Sequence, residues 1–304
     1  MRLSELVGRV KTVIDSETAR KWNEQKIARA LNDMQRSLVR EMVKIDLAYV
    51  NHRFVLGAAA ARRRNADEYS FRLPWWVISV TGVRESQPAS GGRQPLVAWA
   101  NRRSAYSGVE FTASNELTFW RMGEPRSWQI ECAKLPALMT RGTLPSQVGV
   151  AASALKLDAD SSADAVVYPH ETHLDAYAGG LFEITGSTPP SARVGQLLRC
   201  IGSDGDVAGR TLTMEEAWAS APVAGDTYEM HAEIPEQHMN LLVLLAARRF
   251  FAQTNNLPGI AALGPELSEE HMAFRNAIQP RQLAQPHYIG QSNDDDWRPV
   301  PEMI

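Results

Sequence analysis

The residues of this chain that could do chemistry stand at spacings that do not suit it. His170-Glu171-Thr172-His173 sets two imidazoles three apart around a carboxylate. That is one residue short of the spacing that puts two zinc ligands and a general base on one helix face. Asp175 and Tyr177 just after it read as a turn entering a strand. Asp158, Asp160, Ser162 and Asp164 imitate the start of a calcium loop, but Ala163 stands where that loop needs glycine. Pro169 stands where it needs a bidentate glutamate. Cys132 and Cys200 lie in apolar, strand-like context, which suits buried free thiols better than nucleophiles. Glu215-Glu216 and Glu269-Glu270 are adjacent pairs and so diverge on a helix. No glycine-rich phosphate loop and no Gly-x-Ser-x-Gly turn occurs. The sequence predicts neither an enzyme nor a cofactor or metal site.

What remains is charge and apolar anchoring. Over 304 residues the chain is 44% hydrophobic and 22% charged, with a net charge of −3 and a pI near 6.2. Global basicity therefore gives no case for a dedicated nucleic-acid binder. Two cysteines are too few for a disulfide framework, so a reducing compartment is expected. No apolar run approaches the roughly 20 residues of a membrane span, and the first residues lack the apolar core of a signal peptide. The charge is uneven: residues 1–66 carry +7, 67–252 carry −6 and 253–304 carry −4. Such ends can meet complementary neighbours, or their basic helical faces can simply be solvated. Arg62, Arg63 and Arg64 form the densest basic run. They are candidates for contact with a passing nucleic-acid backbone, on either a helix extension or an exposed turn.

Several elements must position these groups. Ser4 is the expected cap of a first helix with Leu6, Val7, Val10, Val13 and Ile14 on one face. Asn23 caps a second, with Trp22 and Ile27 placed as a hydrophobic staple. Along it Ile27, Leu31, Met34, Leu38, Met42 and Ile45 form one stripe over about six turns. Asn32, Asp33, Gln35 and Arg36 lie mainly off that stripe. Tyr69, Phe71 and Leu73 alternate into Pro74 as a strand, and a second β-rich run follows over 75–81. Val109, Phe111, Leu117, Phe119, Trp128 and Ile130 suggest three more strands. Short strands at 154–157, 181–184, 195–201, 210–214 and 227–231 suit a small sandwich or barrel. Helix returns at Pro235 with a nearly all-apolar segment containing Leu241, Leu244 and Leu245, and Gly264-Pro265 is expected to open a last helix that Pro280 ends. Residues 279–304 hold four prolines and Asp294-Asp295-Asp296, too polar for a core of their own. Yet Leu283, Tyr288, Ile289, Trp297, Val300 and Ile304 are spaced apolar anchors, as in a segment that orders along a partner.

Three features together resemble a tailed-bacteriophage head-to-tail adaptor, the neck protein beneath the portal. They are the helical stretch with Trp22, Ile27, Ala30-Leu31-Asn32 and Met34-Gln35; the string Glu68-Tyr69-Ser70-Phe71-Arg72-Leu73-Pro74 leading into Val77-Ile78 and Val80; and the β unit with Leu174 through Leu181, Gly195 through Ile201, Trp218, and Pro222 through Tyr228. The resemblance rests on their order. The residue periods and this order together give an α+β fold in which N-terminal helices (1–66) and C-terminal helices (233–278) form one helical core. A small antiparallel β region (67–144), an inserted sandwich or barrel-like module (145–232) and an extended arm (279–304) complete it. The resemblance implies a non-enzymatic virion protein, assembled in the host cytoplasm, forming a twelvefold ring that docks under the portal and extends the DNA channel toward a tail tube, hub or nozzle protein. On that expectation Ile27, Leu31, Met34, Leu38, Met42, Leu241, Leu244 and Leu245 meet ring neighbours. Leu283, Tyr288, Ile289, Trp297, Val300 and Ile304 hold the portal, and Arg62 to Arg64 face the DNA; no membrane is involved. The rival readings are a tail-side subunit (stopper, tail tube or terminator) and a carbohydrate-binding tail module using Tyr168, Phe182, Trp218 and Tyr228.

Overall fold

A computed structural model describes residues 1–14, 22–46, 52–65, 68–86, 108–112, 115–121, 124–157, 177–203 and 210–278. The helices are α1 (Leu3–Val13), α2 (Glu24–Ile45), α3 (Met239–Gln253) and α4 (Leu257–Ile278). The first seven strands are β1 (His52–Leu56), β2 (Arg62–Asn65), β3 (Glu68–Arg72), β4 (Val77–Glu85), β5 (Gly108–Thr112), β6 (Glu116–Trp120) and β7 (Trp128–Lys134). The other six are β8 (Arg141–Thr143), β9 (Ala154–Leu157), β10 (Leu181–Gly186), β11 (Leu197–Ser203), β12 (Arg210–Met214) and β13 (Thr227–His231). The fold is mixed α+β with antiparallel sheets, as the residue periods predict.

Local chemistry sets the helix starts. On α2 the Asn23 side chain accepts from the Lys26 N–H at 3.0 Å, filling one orphan donor of the first turn. On α1 the cap position falls to Arg2 rather than Ser4. Glu5 reaches back to the Arg2 N–H at 3.2 Å, while the Ser4 N–H is drawn to Glu229 on β13. The last helix starts at Leu257 and not at Gly264-Pro265, because Asn256 caps it through the Gly259 N–H at 2.9 Å. Pro265 therefore sits inside α4, where it removes one backbone hydrogen bond at a cost of about 3 kcal/mol. Burial of Leu263, Leu267 and Phe274 offsets that loss.

Two cores result. The larger gathers the four helices and the inner face of the six-stranded sheet β8-β13-β10-β11-β12-β9, which curls into a half-barrel. The described part of the 145–232 unit thus takes the barrel-like form of the two expected, a single curled sheet that also takes in β8 and shares its core with the helices. The smaller core is aromatic and lies between sheets β1-β7-β4 and β2-β3-β6-β5. Here Phe119 stacks on Trp128 at 4.6 Å and on Tyr69 at 5.1 Å, and the Trp128 indole donates to the Tyr69 hydroxyl at 3.1 Å. Residues 52–65, read with the N-terminal helices, belong instead to this β region: β1 pairs with β7 and β2 with β3. The run at 75–81 becomes strand only from Val77, since Trp75 and Trp76 occupy the turn that follows Pro74.

Candidate functional site

The residues expected to meet ring neighbours are covered by their own chain. Ile27, Leu31, Leu38, Met42, Leu241 and Leu244 are buried in the larger core, and Met34 and Leu245 pack partly buried against it. The interface assignment fails for a plain reason. The stripe of α2 and the apolar circumference of α3 cover one another, with α1, α4 and the inner half-barrel face supplying the rest. Phe182, Trp218 and Tyr228 are buried in the same core, so they form no outward sugar-binding platform; Tyr168 lies outside the described residues. The anchors Leu283, Tyr288, Ile289, Trp297, Val300 and Ile304 also lie outside them, as do the 170–173 and 158–169 motifs.

Arg62, Arg63 and Arg64 are neither helix nor turn but the exposed edge strand β2. Charged residues on a sheet edge hinder pairing with another chain. Arg64 is held by Glu116, by Glu68 at 3.7 Å and by the Ser70 hydroxyl at 3.3 Å. Arg63 reaches Glu124 at 3.5 Å and the Asn65 carbonyl at 3.4 Å. Only Arg62 of the three has no partner among the described residues, so most of the triplet's positive charge is neutralised in place.

Sequence reading missed a buried polar seam. Asn32 and Gln35, placed off the apolar stripe, are 1% and 0% exposed. Asn32 receives the Met139 N–H at 2.7 Å and donates to the Met139 carbonyl at 3.1 Å, as a neighbouring strand would. Gln35 accepts from the Glu233 N–H at 3.0 Å and donates toward the Ala137 carbonyl at 3.5 Å. Glu233 accepts from the Ala137 N–H at 2.9 Å, and Arg36 donates to the Pro136 carbonyl at 3.1 Å. The helix thus docks on the irregular segment 136–140 by satisfying its backbone.

The seam ends in a cluster of ionisable groups. Lys134, 1% exposed, donates to the Ala178 carbonyl and stands 5.6 Å from the Trp76 ring centre. A Cβ at Gly179 would lie 3.9 Å from each of Lys134 Nζ, His52 Nδ1 and Glu233 Oε2, so three elements converge on that glycine, whose φ is +90°. Burial and then the Lys134 charge push the His52 imidazole down to about 4. Burial raises the Glu233 carboxyl, and it pushes the Cys132 thiol up to about 12, against the pull of Lys134. Burial thus favours the neutral forms of His52 and Cys132 at this junction. A signal for it was present: Trp128, Ile130, Cys132 and Lys134 alternate in one phase, which turns Lys134 inward with its apolar neighbours.

A second charged cluster ties the N-terminus to the half-barrel. Arg2 bonds Glu183 with Nε at 2.7 Å and also through Nη2, and His231 Nε2 meets the same carboxylate at 2.6 Å. Burial pushes the Glu183 carboxyl up, but these bonds outweigh it and hold it below the usual range. On the outer face of β11, Leu197 and Ile201 stand 44% and 54% exposed. Among the described residues no group of three His, Cys, Asp or Glu side chains could hold a metal ion, and no helix is long and apolar enough to cross a membrane. No protein-family model matches the chain, and neither a curated protein nor a solved structure is significantly similar to it.

Proposed function

We propose that the chain is a structural subunit of a phage neck, a head-to-tail adaptor that docks beneath a portal and continues its DNA channel toward the tail. The observation carrying this reading is the joint packing of the first two and last two helices. Helices α1 and α2 pack on α3, and α3 on α4, so helices that precede β1 and helices that follow β13 in the chain join one helical body. One helical core built from N-terminal and C-terminal helices is the arrangement expected of the adaptor reading. The reading does not draw on uncovered helix surface, since the chain seals that itself. Ring contacts therefore belong to surfaces outside the α2 stripe and the buried face of α3. Of the 62–64 triplet, Arg62 is the one without an ion pair among the described residues, and it is the candidate for non-specific contact with passing DNA.

Mixing the purified chain with portal rings, and separately with tail tubes, tests this. The expected result is a portal complex whose mass corresponds to one chain per portal subunit, weakened by Trp297→Ala with unchanged far-UV circular dichroism. Binding to tubes alone would move the chain to the tail side of the neck, and binding to neither would remove the proposal.

A further inference from the structure

The outer face of α2 carries charge of one sign. From Lys26 its exposed positions are Arg29, Asp33, Ser37, Arg40 and Lys44, which step by three or four residues and so line up along the helix. At 1.5 Å per residue the line is about 27 Å long. The carboxylates of α2 do not balance it. Asp33 is taken by Arg249 of α3 at 2.6 Å. Glu24 is taken by Lys11 at 2.8 Å and by Arg141, and Glu41 by His271 at 2.9 Å and Arg275 at 2.7 Å. Each acid of the helix thus meets a partner from another element, and the helix's own bases face outward. Lys26 lies 5.2 Å from the Trp22 ring centre, while Arg40 and Lys44 have neither an ion pair nor a hydrogen bond among the described residues. Arg36, Arg40 and Lys44 also follow at four-residue steps, where like charges on a helix repel. Solvation alone does not require that arrangement, because alternating signs would be hydrated as well.

A line of bases on a rigid helix suits a long, regular polyanion. Protein docking patches have an apolar or aromatic centre and little lysine, and no exposed residue of α2 is apolar. Single-stranded nucleic acid needs aromatic side chains on which its bases stack. Trp22, at this end of the helix, is instead packed on Phe250 with ring centres 4.7 Å apart. An amphipathic helix enters a lipid surface by its apolar face, which on α2 is buried in the core. What fits is the phosphate backbone of a duplex, held by long basic side chains without reading of bases. The line's length of about 27 Å matches about eight base pairs. We infer that the outer face of α2 is a sequence-independent binding surface for double-stranded DNA, with Lys26, Arg29, Arg40 and Lys44 on its phosphates. That this DNA is in passage to a tail rests on the neck reading, and it moves the main channel contact from β2, where Arg63 and Arg64 are already paired, to α2. The affinity for a duplex does not rest on that reading.

The test uses the purified full-length chain and a labelled DNA duplex of about 30 base pairs of arbitrary sequence, followed by fluorescence anisotropy between about 30 and 150 mM salt. The logarithm of the binding constant is expected to fall against the logarithm of salt with a slope of about −3.6, the value for four phosphate contacts. Arg40→Gln with Lys44→Gln halves that slope to about −1.8 and weakens binding by at least about tenfold at the lowest salt. Far-UV circular dichroism stays unchanged, because both positions are exposed. A control of equal charge change, Arg72→Gln with Arg199→Gln, at exposed positions on β3 and β11, keeps the wild-type slope. An equal loss in the control would mean that net charge and not α2 attracts the duplex. That result, a slope unmoved by the α2 pair, no binding at the lowest salt, or tighter binding of the single strand would each overturn the inference. So would α2-dependent binding to phosphatidylserine vesicles in place of the duplex. Duplex binding by a chain that ignores portal rings would instead sink the neck reading alone.

Discussion

At the scale of single residues, Asn32 does the work of a strand neighbour. Its amide gives Met139 both a donor and an acceptor in a core where no water would replace them. Truncation therefore strands two backbone groups, each costing about 1–3 kcal/mol when unpaired and buried. Asn32→Ala is expected to lower stability by about 2–4 kcal/mol in chemical denaturation, far more than the change at an exposed asparagine. His52 gives a pH signature. Its native pKa, about 4 against 6.5 for the free side chain, means the neutral ring is the folded form. That stabilisation is complete above pH 6.5 and is lost as pH falls toward 4, because the unfolded chain takes up the proton first. Thermal melts between pH 7.5 and 4 should fall steeply for the wild type and less steeply for His52→Gln. Equal slopes would mean that the Lys134 neighbourhood does not oppose the imidazolium. Glu233, whose carboxyl burial raises, acts in the opposite direction, so the histidine effect is read as a difference between the two proteins.

At the scale of elements, the α2 stripe makes the sharpest claim. Because Leu38 is buried within one chain, Leu38→Asp places a carboxylate among apolar side chains with no cation to meet it. The lone protomer is expected to lose more than about 4 kcal/mol, visible as lost helical circular dichroism before any partner is added. Met34→Asp, at a half-covered position, is expected to be milder. A folded Leu38→Asp monomer that fails only in assembly would return the stripe to an interface. Periodicity made α2, α3 and most strands legible, since one buried face per element writes itself into the residue order. It could not say what covers that face. A stripe sealed by the same chain and one sealed by a neighbour have the same pattern, which is why the interface residues were misplaced. Asn256 as a helix cap and Pro265 inside the helix were opaque for another reason: tertiary packing of α4 overrode a local stop signal. The strand identity of 62–64 depends on β3 lying alongside, a long-range fact that three arginines in a row do not carry.

At the scale of the whole molecule, two cores must behave as one body, and Lys134 stands where they meet. Its strand, β7, contributes Trp128, Ile130 and Cys132 to the aromatic core. Its ammonium reaches Ala178 at the start of the half-barrel and lies near Glu233, whose own backbone is held by Gln35 of α2. These bonds join the two cores together with Ile78, which packs against both, and the expectation is that the polar junction governs how cooperatively the chain unfolds. Lys134→Met keeps most of the apolar stem and removes the ammonium, its charge and its donors together. The Ala178 carbonyl then loses its donor and Glu233 a nearby cation, a change expected to cost about 3–5 kcal/mol. Adding Glu233→Gln removes the stranded charge and should recover part of that loss, a coupling measurable as a double-mutant cycle. In calorimetry the wild type is expected to melt in one transition. Lys134→Met is expected to melt in two, the aromatic β core separating from the helical and half-barrel core. A single unbroken transition in the variant would mean that apolar contact alone couples the two halves. The polar junction would then be a local feature of β7 rather than the fastening of the molecule.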